Sequence, residues 1–280
     1  MTEREVDSLL RAAPPPPAAA VRCIAQRGGQ FRPSTRVAPE ETAVAFTFNG
    51  ITHAVMMATP ADLEDFAVGF ALTEGLIDAA AELTDLEIVP TSLGVELRAW
   101  LPRGRAETYA ARRRSMAGPT GCGLCGIESL EQAMRPAPSV VGGATFADAD
   151  IVAAMASIEA GQALNAQTHA VHAAAFWTPA RGLVALREDV GRHNALDKLA
   201  GALARAGETA AGGIVLLTSR VSIELIQKAA RLKAPMVAAI SAPTAAAVRL
   251  AEACGITLVA VVRGEEFEIF THPHRLNGGT

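Results

Sequence analysis

Half of the four cysteines in this 280-residue chain stand three positions apart among glycines, in Gly121-Cys122-Gly123-Leu124-Cys125-Gly126. That spacing puts Cys122 and Cys125 within reach of each other and of a shared partner, and the glycines free the backbone to turn around them. Two thiols so placed mean sulfur chemistry or a metal. The following run, Ile127 to Met134, combines good helix formers with apolar residues at Ile127, Leu130 and Met134, which sets the pair at a helix N-terminus. The positive end of that helix, with Arg112, Arg113 and Arg114 upstream, favours a nucleophilic thiolate.

The rival chemistries differ in what else they need. A structural zinc site requires a second ligand pair, whereas Cys23 falls in a terminal arm and Cys254 stands alone in a helical run. A thioredoxin-like dithiol sits between a buried strand and a helix, but the segment before Cys122 is Arg-rich and strand-poor. Cys23 and Cys254 read as spare thiols, a free cysteine often serving as a small core hydrophobe.

The elements that must position these groups divide the chain. Residues 1 to about 20 end in four consecutive prolines and alanines and read as a disordered tail. Residues 21–118 read as an N-terminal α+β subdomain. It holds a hairpin from Thr42 to Met57 turning at Asn49-Gly50, a helix from Thr59 to Leu72 with an acidic first turn, and strands at Leu86–Val89 and Val95–Leu101. Residues 119–143 are the cysteine loop and a connecting helix. From 144 to 280, helical runs alternate with apolar strands in the manner of a layered α/β domain. The strands Gly213–Thr218 and Met236–Ser241 are continuous apolar runs, the pattern of strands covered on both faces.

Three strand-to-helix junctions in that half are rich in polar groups. Arg187, Asp189, Arg192, His193 and Asn194 crowd the first, with Asn194 placed to cap the helix that follows. Ser219 and Arg220 follow a buried strand, and Ser241 and Thr244 flank the third helix start. Helix N-termini at strand carboxyl ends suit a phosphate or a polar heterocycle, and three at one sheet edge point to a site more strongly than any single one; the alternative for each is a solvated turn. His169 and His172, and likewise His272 and His274, read as core, surface or hydrogen-bonding residues rather than as metal ligands.

Composition narrows the class. Half of the residues are hydrophobic, which promises a substantial core, and the net charge of −4 argues against general nucleic-acid binding. No stretch approaches the roughly twenty apolar residues of a membrane span, and the N-terminus lacks the form of a signal peptide. The expectation is a cytoplasmic protein without membrane association, in a compartment where a C-x-x-C serves chemistry.

Taken in order, the 121–126 loop, Arg187 to Lys198, Ser219-Arg220 with Glu224 and Gln227 to Ala230, Ser241-Ala242-Pro243-Thr244, and Gly69 to Ile77 resemble the FdhD family, over about Val44 to Leu276. Members of that family are sulfur carriers required for formate dehydrogenase activity. The resemblance implies a sulfurtransferase that takes sulfane sulfur from a cysteine desulfurase as a persulfide on Cys122, with Cys125 assisting. The acceptor is the molybdenum of bis(molybdopterin guanine dinucleotide), before its insertion into apo-formate dehydrogenase. It further implies that the cofactor-binding stretch falls on Val261, Val262, Arg263, Gly264, Glu265 and Glu266, although the two glutamates there suit a phosphate less well than a basic residue would. The implied fold is a three-layer α/β sandwich like cytidine deaminase, in a homodimer, with no resident metal. Deaminase chemistry does not fit, because His172 is followed by two alanines instead of the H-x-E of zinc deaminases. A dithiol oxidoreductase and a non-catalytic cofactor chaperone remain as alternatives.

Overall fold

A computed structural model describes residues 13–102, 104 and 137–277. Cys122, Cys125, the arginines at 112–114 and the helix expected from Ile127 to Met134 lie outside the described residues.

The chain opens with a two-stranded antiparallel ribbon, β1 (Ala18–Arg27) and β2 (Gln30–Pro39), in unbroken register. Gly28 and Gly29, with φ of 58° and 80°, make the two-residue turn between them. Ala18, Ala19 and Ala20 were expected in the extended tail and instead begin β1, because the proline block ends at Pro17 and backbone donors become available after it.

β3 (Thr42–Phe48) and β4 (Ile51–Ala58) form the expected hairpin around Asn49-Gly50. After α1 (Leu63–Thr73) come β5 (Thr84–Thr91) and β6 (Gly94–Trp100), giving a sheet of order β4-β3-β6-β5 in which β3 and β6 run parallel. One face of this sheet is filled by Phe46 and Phe48 against Phe66 and Phe70 of α1, with the Phe46 and Phe70 rings stacked at 4.0 Å.

The second lobe begins with β7 (Phe146–Ala147), α2 (Asp148–Gly161), α3 (Ala163–Thr168), β8 (His172–Thr178) and β9 (Gly182–Asp189). It continues through α4 (Arg192–Arg205), β10 (Ile214–Leu217), α5 (Ile223–Arg231) and β11 (Met236–Ala239). It closes with α6 (Ala245–Cys254), β12 (Thr257–Arg263), β13 (Glu266–Thr271) and β14 (Leu276–Asn277). The six-stranded sheet has the order β13-β12-β11-β10-β8-β9. Side chains of Val215, Leu217, Val237 and Leu258 meet α4, α5 and α6 on one face, while Ile214, Leu216, Met236 and Val259 meet α2 on the other. That is the three-layer α/β arrangement expected. Every residue of β10 and β11 is buried, as the apolar runs required. Cys254 packs in this core, and Cys23 is exposed on the ribbon. Among the described residues no helix is long and apolar enough to cross a membrane.

The two lobes meet where α1 crosses α4. A Cβ added at Gly69 would lie 1.6 Å from the Asp197 carbonyl oxygen, and one at Gly201 would lie 1.8 Å from that of Asp65, so the helix backbones touch. Ion pairs surround the crossing. Arg187 donates to Asp65 Oδ2 at 2.8 and 2.6 Å, and Arg205 donates to Asp65 Oδ1 at 2.6 Å and pairs with Glu64.

Candidate functional site

Strand direction decides which loops share an edge. β10, β11 and β12 are parallel; β8 runs against β10, and β9 against β8, so β9 points the same way as β10. The carboxyl ends of β9, β10, β11 and β12 therefore open onto one rim, where ligands of open α/β sheets bind. The rim gathers the three junctions singled out in the sequence and adds the 261–266 turn as a fourth.

The residues of the first junction divide by what their side chains touch. Asp189 and Lys198 are fully buried and paired at 2.6 Å. Asp189 also accepts from Thr59 N at 3.0 Å, Gly191 N at 2.7 Å and Asn194 Nδ2 at 2.9 Å, and Lys198 donates to Thr59 O at 2.8 Å. Asn194 does not cap its helix. Gly191 is the N-cap, and Asn194 sits one turn in and donates to Met57 O at 2.9 Å. Arg187 is engaged by Asp65. The polar atoms of Arg187, Asp189 and Asn194 thus tie this junction to the N-terminal lobe.

Arg192 and His193 are different. His193 is 8 % exposed, and its Nδ1, like Arg192 Nε, is buried without a hydrogen-bond partner among the described residues. Buried polar atoms are almost always satisfied, so two orphans side by side at an uncapped helix N-terminus make this the candidate place for a ligand. The start of α5 at Ser222 also has no side-chain cap, which leaves a second set of free backbone donors at this rim. An anionic group with polar edges, such as a nucleotide phosphate, fits that donor set.

Burial, with Arg192 and Lys228 adding positive charge, pushes the His193 pKa down to about 4, against the opposing pull of Glu224 and Glu74. His193 is therefore a neutral imidazole near pH 7, able to accept or donate one hydrogen bond. The unfolded chain would take up this proton near pH 6.5, the folded one only near 4, so stability falls as pH drops through that window and levels off below it. The expected loss is about 3 kcal/mol between pH 6.5 and 4. His193→Gln should remove that slope from chemical denaturation curves recorded across the range; an unchanged slope would assign it elsewhere. His172, across from Asp189 in the β8–β9 ladder, is shifted the same way by burial and Arg192 and adds a smaller slope of the same sign.

The second and third junctions are stitched together. Val221 bridges Pro243, Val221 N donates to Ala242 O at 3.3 Å and Thr244 N donates to Val221 O at 2.9 Å. Ser219 is buried with its hydroxyl donating to Arg220 O at 3.0 Å, whereas the Arg220 side chain is exposed. Ser241 lies half-buried at the end of β11. Thr244 caps α6, its hydroxyl accepting from Ala247 N at 3.2 Å.

The fourth element carries backbone strain. Val261 has φ of 57°, a left-handed conformation that a β-branched residue avoids at a cost of about 1–3 kcal/mol, and the β12–β13 register shifts beside it. Arg263 Nη1 donates to Ile240 O at 2.5 Å and Val262 O at 3.0 Å, fastening the turn to the end of β11. Val262 is buried, while Arg263, Gly264, Glu265 and Glu266 are exposed. The resemblance had pointed to Val261 and Arg263, but the left-handed backbone and the anchoring hydrogen bonds carried no signal in the hydrophobic pattern, which showed only an apolar strand. The same holds for His172, which the fold brings to the rim beside Asp189. Among the described residues no cluster of three His, Cys, Asp or Glu side chains could hold a metal ion, and His272 Nε2 instead lies 2.9 Å from Glu252 O.

With this geometry in view, comparison with known proteins gives one answer. The model of the FdhD/NarQ family matches residues 39–277. A sulfur carrier protein FdhD from Agrobacterium fabrum is 55 % identical over 254 residues, covering 90 % of this chain and 93 % of the relative. One from Cupriavidus necator is 51 % identical, covering 89 % and 87 %. A crystal structure from Desulfotalea psychrophila, described as a formate dehydrogenase accessory protein, superposes with a TM-score of 0.74 at 25 % identity, covering 94 % of this chain and all of the other.

Proposed function

The chain belongs to the FdhD/NarQ family, and from that membership we propose that it is a sulfur carrier in formate dehydrogenase maturation. In this reading Cys122 takes sulfane sulfur from a cysteine desulfurase and passes it to the molybdenum of bis(molybdopterin guanine dinucleotide), destined for apo-formate dehydrogenase. The protein acts as a cytoplasmic homodimer. The observation that carries the reading is the family match over residues 39–277, in a chain whose sequence keeps a glycine-flanked C-x-x-C and whose sheet rim, among the described residues, leaves Arg192 Nε and His193 Nδ1 without a partner.

Loading is a thiol exchange. The Cys122 thiolate attacks the terminal sulfur of the desulfurase persulfide, a new S–S bond forms on Cys122, and the donor cysteine leaves as its thiolate. The Cys125 thiolate, three residues away, can attack the outer sulfur in turn; that sulfur moves to Cys125 as the S–S bond to Cys122 breaks and Cys122 leaves as its thiolate, so Cys125 assists by relaying it. The acceptor is held at the rim, where the phosphates of its guanine nucleotides meet the free N–H groups of α4 and α5 and the guanidinium of Arg192. Neutral His193 supplies a hydrogen bond to a polar edge. The strained turn at Val261 and its neighbours to Glu266, with Ser219, Arg220, Ser241 and Thr244, line the rest of that rim. Arg187, Asp189 and Asn194 act on it from behind, by fixing the start of α4.

Intact-protein mass spectrometry after incubation with a cysteine desulfurase and cysteine tests the proposal. Wild type and Cys125→Ala should gain the mass of one sulfur, and Cys122→Ala should not. A disulfide between Cys122 and Cys125 with no added sulfur would instead make the protein a dithiol oxidoreductase. Full formate dehydrogenase activity supported by Cys122→Ala would leave only a cofactor chaperone.

A further inference from the structure

Among the described residues, two surfaces lack the cover that their composition calls for. The first is the ribbon of β1 and β2. Beyond its root, where Arg36 donates to Thr168 O at 3.3 Å, it projects with both faces in solvent. Ile24 is 72 % exposed and Phe31 is 76 % exposed, and they sit diagonally opposite on one face. An isolated two-stranded ribbon is marginal in water, and a long one bearing exposed large apolar groups is an association site. The second surface is the outer face of the β4-β3-β6-β5 sheet. Its inner face is filled by α1, but Val55, Met57 and Trp100 on the other side are exposed.

Charge says what brings them together. The ribbon holds Arg22, Arg27, Arg32 and Arg36 and no acidic residue, a charge of +4, so the chain's net charge of −4 leaves −8 on everything else. The outer sheet face carries Glu87 and Glu96 against Arg98 alone. A basic ribbon with an apolar face and an acidic body with an apolar sheet are complementary halves of one contact, and the same chain owns both.

We propose that each ribbon seats its Ile24 and Phe31 face on the outer sheet face of a second copy of this chain, so that two copies exchange ribbons about a two-fold axis. Such an isologous contact uses both surfaces twice and closes at two subunits. The inference rests on the homodimer in the proposed function and not on its sulfur chemistry.

Light scattering coupled to size exclusion tests it on the full chain. Wild type should be a dimer. The ribbon variant Ile24→Asp/Phe31→Asp and the sheet variant Val55→Asp/Met57→Asp should each be monomeric, with dissociation constants raised at least about 100-fold, the loss typical of central interface anchors. Mixed together they should form a heterodimer, since the intact sheet of one meets the intact ribbon of the other. Arg22→Glu, a fully surface change, should weaken the dimer without altering the melting profile and guards against misfolding as the cause. A monomeric wild type, a dimer that survives the ribbon or the sheet substitutions, or variants that do not complement would each overturn the exchange. Sulfur loading of Cys122 measured on the same samples separates the two readings: loading without dimers leaves the carrier standing and removes the ribbon contact, and dimers without loading do the reverse.

Discussion

Gly201→Val should leave little folded protein at 37 °C, with a loss of stability above about 3 kcal/mol that Gly69→Val reproduces. Neither glycine is there for an unusual backbone angle; both lie within regular helices. What excludes a side chain is the opposing backbone, since a Cβ at either position would overlap the Asp197 or the Asp65 carbonyl oxygen by more than an ångström. A flexible side chain could yield, but a helix carbonyl cannot move without opening the whole crossing of α1 on α4. That crossing also sets the distances in the ion pairs of Arg187 and Arg205 with Asp65, and in the pair of Lys228 with Asp197 at 2.8 Å. Substitution should therefore lower the melting temperature and also displace the start of α4, which carries Arg192 and His193. Calorimetry checks the first effect, and binding of the guanine nucleotide proposed for the rim checks the second. A Gly201→Val protein with wild-type melting would show that the helices can part cheaply.

The same crossing marks the limit of what the sequence pattern discloses. Elements whose faces are buried announced themselves: the Asn49-Gly50 hairpin, the apolar runs of β10 and β11, and the helix from Asp148 all form where their periodicity placed them, because burial is what writes the periodicity. The ribbon wrote none. Val21, Cys23 and Ile24 alternate with arginines and alanines to no fixed period because neither face packs on a core, so the segment read as an arm. α3, six residues long, was too short to show a stripe. At the rim, three polar junctions could be read from the chain and taken to share one sheet edge, but it is strand pairing that establishes this, through the parallel run of β9 with β10.

Charged residues were harder still. Arg187, Asp189, Asn194 and Lys198 form one dense polar run, and a run of charge at a strand end reads as ligand-facing. The structure turns most of it inward, toward Met57, Thr59 and Asp65 more than 120 residues earlier. No local feature of a sequence reports a partner that remote. Asp197, one turn along α4, makes the same point: it is buried against Lys228 and Thr73, its pKa raised by that burial, while the carboxylates of Asp197 and Glu74 outweigh desolvation and raise Lys228. Among the described residues, Arg192 and His193 differ from these neighbours in that their buried nitrogens find no such partner.

Lys198→Met follows from that distinction and carries the other large effect. Lys198 is fully buried, and its ammonium meets Asp189 at 2.6 Å and Thr59 O at 2.8 Å. Methionine fills nearly the same volume but leaves the Asp189 carboxylate buried with only neutral donors from Thr59, Gly191 and Asn194. Breaking a buried pair from one side typically costs about 3–5 kcal/mol, and that is the expected loss in urea denaturation. Asp189→Asn in the same background should recover part of it, because the uncompensated charge disappears along with its partner. The two substitutions would then cost less together than the sum of their separate losses, by at least about 1 kcal/mol. Simple additivity would mean that Asp189 and Lys198 contribute independently and that the joint behind the rim is held by packing at Gly69 and Gly201 alone. A sub-additive cycle, with affinity for the proposed guanine nucleotide falling in Lys198→Met and returning in the double variant, would show that this ion pair sets the position of Arg192 and His193 at the candidate site.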